Sequence, residues 1–216
     1  MAPPFTTTPR LLQKLFPQIT WSGNRACGGV FLTFDDGPHP QFTPRVLDVL
    51  GNLQVIATFF LVGARTREFP DVVERIVREG HAVGNHSYDH RPMALRRRDW
   101  IREQLRSTQQ CIRQIVGVPP VWFRPPYGLF DANLLRVAEE TGVKVVIWSV
   151  VPYDTTALNC RSVVERVLRK AHAGDIIDLH DGHARSACVL DALPSIVTGL
   201  RDRGLGFRPL GGPQMT

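Results

Sequence analysis

The sequence of 216 residues predicts one α/β domain in which parallel strands are covered by helices. Strand-like and helix-like segments alternate about seven times, with short connections between them. The clusters of polar residues all follow predicted strands, at the rim where α/β barrels build their active sites. Hydrophobic residues make up 43% of the chain and charged residues 21%, as in ordinary globular domains. The alternation leaves open whether the strands close into a barrel or form a doubly wound sheet.

The predicted elements follow a basic N-terminal arm, residues 1–27. Strands are predicted at 30–34, 55–61, 82–85, 121–123, 143–149 and 175–179, with a last one around Phe207. Helices are predicted at 43–50, 70–79, 94–116, 131–141, 162–171 and 188–203. Thr43 and Ser162 are interpreted as N-caps, because such side chains accept hydrogen bonds from the first amides of a helix. Gly80 and Gly117 stop the helices that precede them.

The chain is basic, with a formal charge of +6 and a pI near 9.6. This charge favours anionic surroundings such as a wall polymer or lipid head groups. No nucleic-acid-binding motif accompanies the charge, so no nucleic acid is expected as a partner. The run Arg96-Arg97-Arg98 begins a predicted helix and is interpreted as a solvated helix face.

The N-terminal segment has no continuous apolar stretch that would make a signal peptide or a membrane span. The expected compartment is therefore the cytoplasm by default, and association with the cell envelope stays open. Leu11, Leu12, Leu15 and Phe16 lie beside basic residues in a short amphipathic turn. This turn either touches a membrane surface or packs under the domain, and packing is the favoured interpretation.

The four cysteines are widely spaced and include no Cys-x-x-Cys pair: Cys27, Cys111, Cys160 and Cys188. This spacing argues against a zinc ribbon or a thioredoxin-like motif. It leaves the disulfide state undecided.

Two adjacent carboxylates, Asp35 and Asp36, follow the first predicted strand. Consecutive side chains of a strand point to opposite faces, so both can serve one site only if the strand ends between them. Gly37 and Pro38 supply that break, because Gly allows positive φ and Pro fixes its own φ and donates no N–H. Asp35 would then continue the inward face of the strand, and Asp36 would turn away from it. A surface Asp-Gly turn is the alternative.

His86 and His90 are four residues apart, and on a helical turn this spacing would place both imidazoles on one face. With one carboxylate from the first strand they would make three protein ligands with open positions, as in catalytic metal sites. An isolated histidine pair of this spacing is more often incidental.

Two further strand ends carry Arg124 and His180. An arginine can hold a carboxylate ionised, and a histidine titrates close to working pH and suits general acid catalysis. A surface salt bridge and a core histidine are the plain structural alternatives. Polar clusters of this kind follow four predicted strands. One common site explains them better than four independent coincidences.

The motifs Thr-Phe-Asp-Asp-Gly-Pro (33–38), His-Ser-Tyr-Asp-His (86–90), Arg-Pro-Pro-Tyr-Gly (124–128) and Leu-His-Asp (179–181), in this order, resemble those of the polysaccharide deacetylases. These are the NodB-homology enzymes of carbohydrate esterase family four. The resemblance places the domain at 28–210 and implies a distorted, incomplete (β/α) barrel of about seven parallel strands. It also implies a metal-dependent hydrolase that removes N-acetyl groups from amino sugars. One divalent metal ion is the implied cofactor, and Zn²⁺ is the expected ion.

The resemblance also implies a role for each motif residue. Asp36, His86 and His90 would hold the metal ion. Asp35 would be the general base for a metal-activated water, and Arg124 would hold Asp35.

The later motifs would act on the departing amine and on the oxyanion. His180 would protonate the departing sugar amine, and Asp154 would support His180. The backbone N–H of Tyr127, beside Pro126, would help to stabilise the oxyanion.

One departure from the family concerns the sugar site. The fourth motif of the family often ends in Asp-Trp, whereas here Asp154 is followed by Thr155. The aromatic residue that usually lines the sugar site is therefore missing at this place. Trp148 or Tyr153 is the expected replacement.

A second departure is Asp178, where the family usually has an aliphatic residue. Strand alternation puts Asp178 on the same face as His180, and a buried carboxylate needs a partner. We expect it to pair with His180 or Arg124 and to raise the pKa of the histidine. The alternative is a strand irregularity that turns Asp178 outward.

Three functions are compatible with the sequence. The leading one is removal of N-acetyl groups from N-acetylglucosamine-containing saccharides such as chitooligosaccharide or peptidoglycan. A deformylase or deacylase of a lipid-linked amino sugar is the alternative that the basic, amphipathic N-terminus keeps open. A non-catalytic carbohydrate-binding relic of the fold is the third, and the intact set of motif residues argues against it.

Overall fold

The computed structural model describes residues 7–157, 159–183 and 187–211. Its centre is a distorted, incomplete (β/α) barrel of seven parallel strands. The strands are β1 Gly29–Asp35, β2 Thr58–Leu61, β3 Ala82–Asn85, β4 Trp122–Phe123, β5 Lys144–Val145, β6 Ile176–His180 and β7 Gly206–Phe207. They follow the order β5-β4-β3-β2-β1-β6, and β7 pairs with the start of β1. The sequence-based prediction of seven parallel strands is therefore confirmed.

Helices connect the strands and cover the outside of the barrel. They are α1 Arg10–Leu15, α2 Phe42–Asn52, α3 Gly63–Glu68, α4 Pro70–Arg78, α5 Arg98–Val116, α6 Ala132–Glu140, α7 Cys160–Lys170 and α8 Ala187–Arg201. Among the described residues, no helix has both the length and the apolar character that a membrane span requires.

Side-chain alternation along β1 separates two environments. Val30, Leu32 and Phe34 pack beneath the helices, whereas Phe31 lies in a smaller apolar cluster on the opposite face. Asp35 continues the face of Phe31, because side chains two residues apart share a side of a strand. The barrel interior is thus apolar at its base and polar at the carboxyl ends of its strands.

An irregular segment after β5 joins the two edges of the sheet. The amide of Val146 donates to the carbonyl of Phe123 in β4 at 2.9 Å. Farther along, Val150 donates to Ile176 in β6 at 3.1 Å and accepts from the amide of Asp178 at 3.0 Å. The strand predicted at 143–149 is therefore regular over only two residues, because the segment leaves one edge of the sheet to pair with the other.

The described part of the N-terminal arm packs along this segment. Thr8 donates to the carbonyl of Ser149 at 3.2 Å, and Thr20 donates to the carbonyl of Val145 at 2.9 Å. Ile19 and Trp21 are buried. The arm therefore contributes to the core of the domain as well as to its charge.

Several predicted boundaries differ from the structure. α3 was not predicted, and β2 is shorter than the segment 55–61. α2 begins at Phe42, so Thr43 lies inside its first turn and is not the N-cap. α7 begins at Cys160 and is capped by the side chain of Asn159, which accepts from the amide of Ser162 at 2.9 Å. The predicted N-caps Thr43 and Ser162 thus lie two and three residues after the observed ones, Gln41 and Asn159, and their hydroxyls have other partners.

Candidate active site

The carboxyl ends of β1, β3, β4 and β6 surround an open cavity of about 650 Å³. Its walls combine carboxylates, imidazoles, a guanidinium and aromatic rings: Asp35, Asp36, Val62, Arg65, His86, His90, Tyr127, Trp148, Thr155, His180 and His183. The residues predicted from separate motifs therefore meet in one place. This place is the rim at which α/β barrels carry their chemistry.

The two adjacent carboxylates are separated by the end of β1. Asp35 is the last residue of the strand, and Asp36 has a φ of 72°. The residue with positive φ is thus Asp36 itself, and Asp tolerates this region better than most residues other than Gly. Gly37 is needed for another reason: a Cβ there would lie 2.7 Å from both carboxylate oxygens of Asp181.

Asp36, His86 and His90 bring their ligand atoms within 4.8 Å of one another. Oδ1 of Asp36 lies 2.8 Å from Nε2 of His90 and 3.4 Å from Nε2 of His86. Burial disfavours the charged form of Asp36, but hydrogen bonds from the two histidines outweigh burial and hold the pKa of this carboxyl well below its usual range. The three residues thus present an ionised carboxylate between two imidazoles.

The two histidines do not lie on a helical turn, so that expectation is wrong. Residues 86–90 form a loop after β3, in which Ser87 and His90 have φ values of 64° and 58°. The loop is fixed to α3, because the amides of Gly63 and Ala64 donate to the carbonyls of Ser87 and Tyr88, both at 2.9 Å. A tight loop, and not helical periodicity, brings the two imidazoles together.

The donor set fits the divalent metal ion that the sequence resemblance implies. Nδ1–H of His86 donates to the carbonyl of Arg124 at 2.7 Å, so Nε2 is the nitrogen that faces Asp36 and would bind the ion. Two imidazole nitrogens and one carboxylate, open on the cavity side, are the ligands of catalytic zinc sites.

Arg124 is completely buried beneath the site. Its Nη1 donates to Oδ1 of Asp35 at 2.7 Å and to Oγ1 of Thr33 at 2.8 Å. Its guanidinium carbon lies 4.1 Å from the ring centroid of Phe60, a cation–π distance. The buried cation therefore compensates the charge of Asp35 and fixes the position of its carboxylate.

Asp178 points into the barrel, next to Arg124, and the outward alternative is wrong. Nη1 of Arg124 lies 3.3 Å from Oδ1 of Asp178. Burial and the neighbouring charge of Asp35 raise the pKa of Asp178 well above its usual range. One guanidinium therefore faces two buried carboxyl groups, those of Asp35 and Asp178.

His180 is held by Asp154 through two bonds. Nδ1 of His180 lies 2.9 Å from Oδ1 of Asp154, and the backbone amide of His180 donates to Oδ2 at 2.9 Å. Burial disfavours the imidazolium, but the carboxylates of Asp154 and Asp178 outweigh burial and hold the pKa of His180 well above its usual range. The histidine therefore keeps its proton to a higher pH than an ordinary imidazole does.

The residues predicted to contact substrate are only partly placed at the cavity. Tyr127 and Trp148 line the cavity wall, and 55% of Tyr127 is exposed. Tyr127 has a φ of 61°, and its amide finds no backbone acceptor among the described residues. Pro126 is buried and does not line the cavity. Tyr153 does not line the cavity, because its ring lies under Arg166, whose guanidinium carbon is 5.9 Å from the ring centroid.

Two basic residues that line the cavity, Arg65 and His183, escaped the sequence-based prediction. Nη1 of Arg65 donates to the carbonyls of Asp36 and Gly182, both at 2.5 Å. Nε2 of His183 lies 4.0 Å from Oδ2 of Asp36, and burial lowers the pKa of His183. The histidine could have been found from its spacing of three residues after His180. Nothing in the sequence around Arg65 points to its partners, which are far away along the chain.

A buried pair supports the same loops from behind. The hydroxyl of Thr43 donates to Oδ2 of Asp181 and accepts from the amide of His39 at 2.8 Å. Oδ1 of Asp181 is buried without a hydrogen-bond partner among the described residues. Burial and the nearby charge of Asp36 raise the pKa of Asp181 to about 7, against the effect of the Thr43 bond.

Comparison with known proteins agrees with this site. The family model described as polysaccharide deacetylase matches residues 22–146. A peptidoglycan-N-acetylglucosamine deacetylase of Bacillus cereus is 38% identical over 181 residues, which are 82% of this chain and 65% of that protein. A chitooligosaccharide deacetylase of Azorhizobium caulinodans is 36% identical over 193 residues, which are 84% of this chain and 92% of that protein.

The similarity extends to three dimensions. The crystal structure of the Bc1960 peptidoglycan N-acetylglucosamine deacetylase superposes with a TM-score of 0.88 and 35% sequence identity. The superposition covers 94% of this chain and 95% of the other. The chain therefore belongs to the polysaccharide deacetylase family of hydrolases.

Proposed function

We propose that the protein is a metal-dependent deacetylase that hydrolyses the N-acetyl amide of amino sugars in saccharides containing N-acetylglucosamine. One observation carries the proposal: the cavity brings a carboxylate held by a buried arginine, Asp35, within 4.8 Å of a histidine held by a buried carboxylate, His180. Asp36, His86 and His90, the candidate metal ligands, line the same cavity. An amide hydrolysis needs this combination of base, acid and electrophilic stabilisation.

Asp35 is assigned as the general base. Its Oδ1 is held by Arg124, and its Oδ2 lies 3.7 Å from Nε2 of His86 on the side of the candidate metal ligands. A carboxylate fixed in this way can accept a proton from water that enters the cavity. A divalent ion, when bound by Asp36, His86 and His90, would supply Lewis-acid polarisation of the acetamide carbonyl and would lower the pKa of water.

His180 is assigned as the general acid. Because Asp154 binds Nδ1, Nε2 is the nitrogen that remains to act on a substrate. The raised pKa keeps His180 protonated, and it can therefore give a proton to the departing sugar amine. The amide of Tyr127, which lines the same cavity, is assigned to stabilise the oxyanion that forms on the carbonyl oxygen when water attacks the carbonyl carbon.

The substrate class rests on the relatives and on the cavity. The relatives described above are deacetylases of peptidoglycan N-acetylglucosamine and of chitooligosaccharide. The cavity is open and has the size of small-molecule sites, and the rings of Tyr127 and Trp148 on its wall offer stacking surface for a sugar.

Acetate release tests the proposal. Zinc-loaded protein is incubated with N-acetylglucosamine oligomers, with peptidoglycan and with the N-formylated oligomers, and free acid is measured with and without a chelator. We expect acetate release that the chelator abolishes and that Asp35→Asn reduces by about 10²–10⁴-fold. Release that is indifferent to the chelator would contradict metal dependence, and absence of release from all N-acyl sugars would contradict the substrate class. Faster release of formate than acetate would replace the deacetylase assignment by a deformylase.

A further inference from the structure

Two of the four cysteines lie side by side at the ends of neighbouring helices. Cys160 is the first residue of α7, and Cys188 is the second residue of α8. The two helices pack against each other, and both thiols are partly buried against the same apolar cluster. Their sequence separation gave no reason to pair them.

Contacts of the thiols place them on facing surfaces. Sγ of Cys160 lies 3.9 Å from Oδ2 of Asp191. Asp191 follows Cys188 by three residues, so both project from the same face of α8. Burial, together with the neighbouring Cys160 thiol, raises the pKa of the Cys188 thiol to about 12.

The remaining cysteines lie elsewhere in the fold. Sγ of Cys27 lies 3.4 Å from the carbonyl of Gly29, its hydrogen-bond acceptor at the start of β1. Cys111 lies on α5, beside a polar groove that Arg67 and Gln114 also line. These two cysteines therefore serve as internal controls for thiol chemistry.

We propose that Cys160 and Cys188 are a redox pair that forms an intramolecular disulfide when the protein meets a low-molecular-weight disulfide. The thiolate of Cys160 attacks one sulfur of the reagent and releases one thiolate. Cys188 then loses its proton and attacks the mixed disulfide at Cys160, which releases the second thiolate. Two protein thiols are oxidised, one reagent disulfide is reduced to two thiols, and the balance is complete.

The raised pKa of the Cys188 thiol determines the order of the two attacks. Its raised pKa keeps it protonated near neutral pH, so Cys160 supplies the first nucleophile. Once Cys160 carries the reagent, its thiol no longer contributes to the raised pKa of Cys188. The second step is intramolecular, between helix starts that are already adjacent.

The bond would join the starts of α7 and α8, which follow Asp154 and His180 along the chain. Asp154 lies six residues before Cys160, and His180 lies eight residues before Cys188. A disulfide restricts the unfolded chain between its two cysteines, a segment that contains all of β6. The oxidised protein should therefore unfold at a higher temperature than the reduced protein.

Mass spectrometry and thermal unfolding of the full chain test the proposal. The protein is treated with glutathione disulfide, alkylated under denaturing conditions and measured intact and after digestion. We expect a loss of about 2 Da, one linked peptide pair containing Cys160 and Cys188, and alkylation of the other two cysteines. The oxidised wild type should melt roughly 5–10 °C above the reduced wild type.

Matched variants distinguish the pair from general thiol reactivity. A Cys27→Ser, Cys111→Ser double variant should form the disulfide as the wild type does. Cys160→Ser and, separately, Cys188→Ser should form only a mixed disulfide on the remaining thiol and show no gain in melting temperature. The proposal is overturned if wild-type Cys160 and Cys188 both end as separate glutathione adducts, remain free, or link to Cys27 or Cys111.

Discussion

The two neighbouring carboxylates at the end of β1 have different partners, and these partners define their roles. Asp35 faces the buried guanidinium of Arg124, whereas Asp36 faces His86 and His90. The positive φ of Asp36 separates them, since a continued strand would send the two side chains to opposite faces of the sheet. One carboxylate is therefore held by a buried cation, and the other belongs to the candidate metal site.

We expect Asp36→Ala to lose metal and Asp35→Asn to lose turnover. Removal of Asp36 deletes one of three donor groups, so zinc affinity should fall by more than about 100-fold. Asp35→Asn keeps the shape of the side chain but cannot accept the proton, so kcat should fall by about 10²–10⁴-fold while zinc affinity stays within about tenfold. Calorimetric zinc titration and acetate release measure the two effects. Equal loss of zinc in both variants would refute this division of labour.

The influence of Asp178 on His180 leads to a prediction for the pH dependence of activity. Activity that needs protonated His180 falls as pH rises through its pKa. Because the charges of Asp154 and Asp178 raise that pKa, Asp178→Asn should lower it and move the alkaline limb of the pH–rate profile to lower pH. Asp154→Asn should move the limb farther, since Asp154 is the stronger of the two influences. An alkaline limb that stays in place in Asp178→Asn would show that Asp178 does not act on the histidine.

At the scale of elements, the site depends on the contact between the loops after β1 and β6. Arg65 on α3 bonds a carbonyl of each loop. Gly182 permits their close approach, because a Cβ there would lie 2.4 Å from the backbone oxygen of Asp36. The backbone that carries Asp36, a candidate metal ligand, is thus fixed by a helix that supplies no candidate ligand.

We expect Arg65→Met to weaken metal binding although Arg65 is not a ligand. Loss of both bonds frees the backbone of Asp36, and supporting residues of this kind are worth about 10–100-fold in metal affinity. Arg67→Met, on the exposed side of the same helix, is the matched control and should bind zinc as the wild type does. Zinc titration by competition with a chromophoric chelator measures both variants. Identical affinities in the two variants would remove Arg65 from the support of the site.

At the scale of the whole molecule, the site concentrates buried acidic groups inside a chain whose net charge is +6. Asp35, Asp154, Asp178 and Asp181 are all buried at the carboxyl ends of the strands or in the adjoining loops. Folding therefore has to compensate several desolvated carboxyl groups in one region. Arg124 and His180 compensate part of this charge, and a bound proton on Asp181 removes a further part.

The raised pKa of Asp181 predicts how stability changes with pH. The folded protein keeps a proton on Asp181 up to a pKa of about 7, whereas the unfolded chain releases it near the ordinary value of 3.8. Because the folded state binds more protons in this window, its stability should fall as pH rises from about 4 to 7. Asp181→Asn lacks this effect, and its stability relative to wild type should grow by up to about 4 kcal/mol across the window.

Urea unfolding of both proteins at a series of pH values, with chelator present, measures this difference. The difference should level off above about pH 7, where Asp181 is ionised in both states. Parallel stability curves for the variant and wild type would show that Asp181 is not protonated in the folded protein.

The sequence by itself determined the α/β class, the alternation of strands and helices, and most of the chemical groups at the site. These features are local: apolar periodicity marks each element, and short motifs such as residues 33–38 and 86–90 carry donor atoms within a few residues of one another. The motif residues could therefore be assigned to one cavity before its shape was known. Local signals failed at element ends, as for Thr43, whose hydroxyl has a tertiary partner instead of a capping role.

Only the tertiary structure decided which groups support the motif residues. Arg65 bonds a carbonyl 117 positions away, and Arg124 joins Asp35 and Asp178 across 89 and 54 positions. Such contacts arise where parallel strands, each returning after a helix, bring their carboxyl ends to one rim. The placement of Tyr153 outside the cavity and the meeting of Cys160 with Cys188 have the same origin. Packing of distant segments, and not local sequence pattern, determines these neighbours.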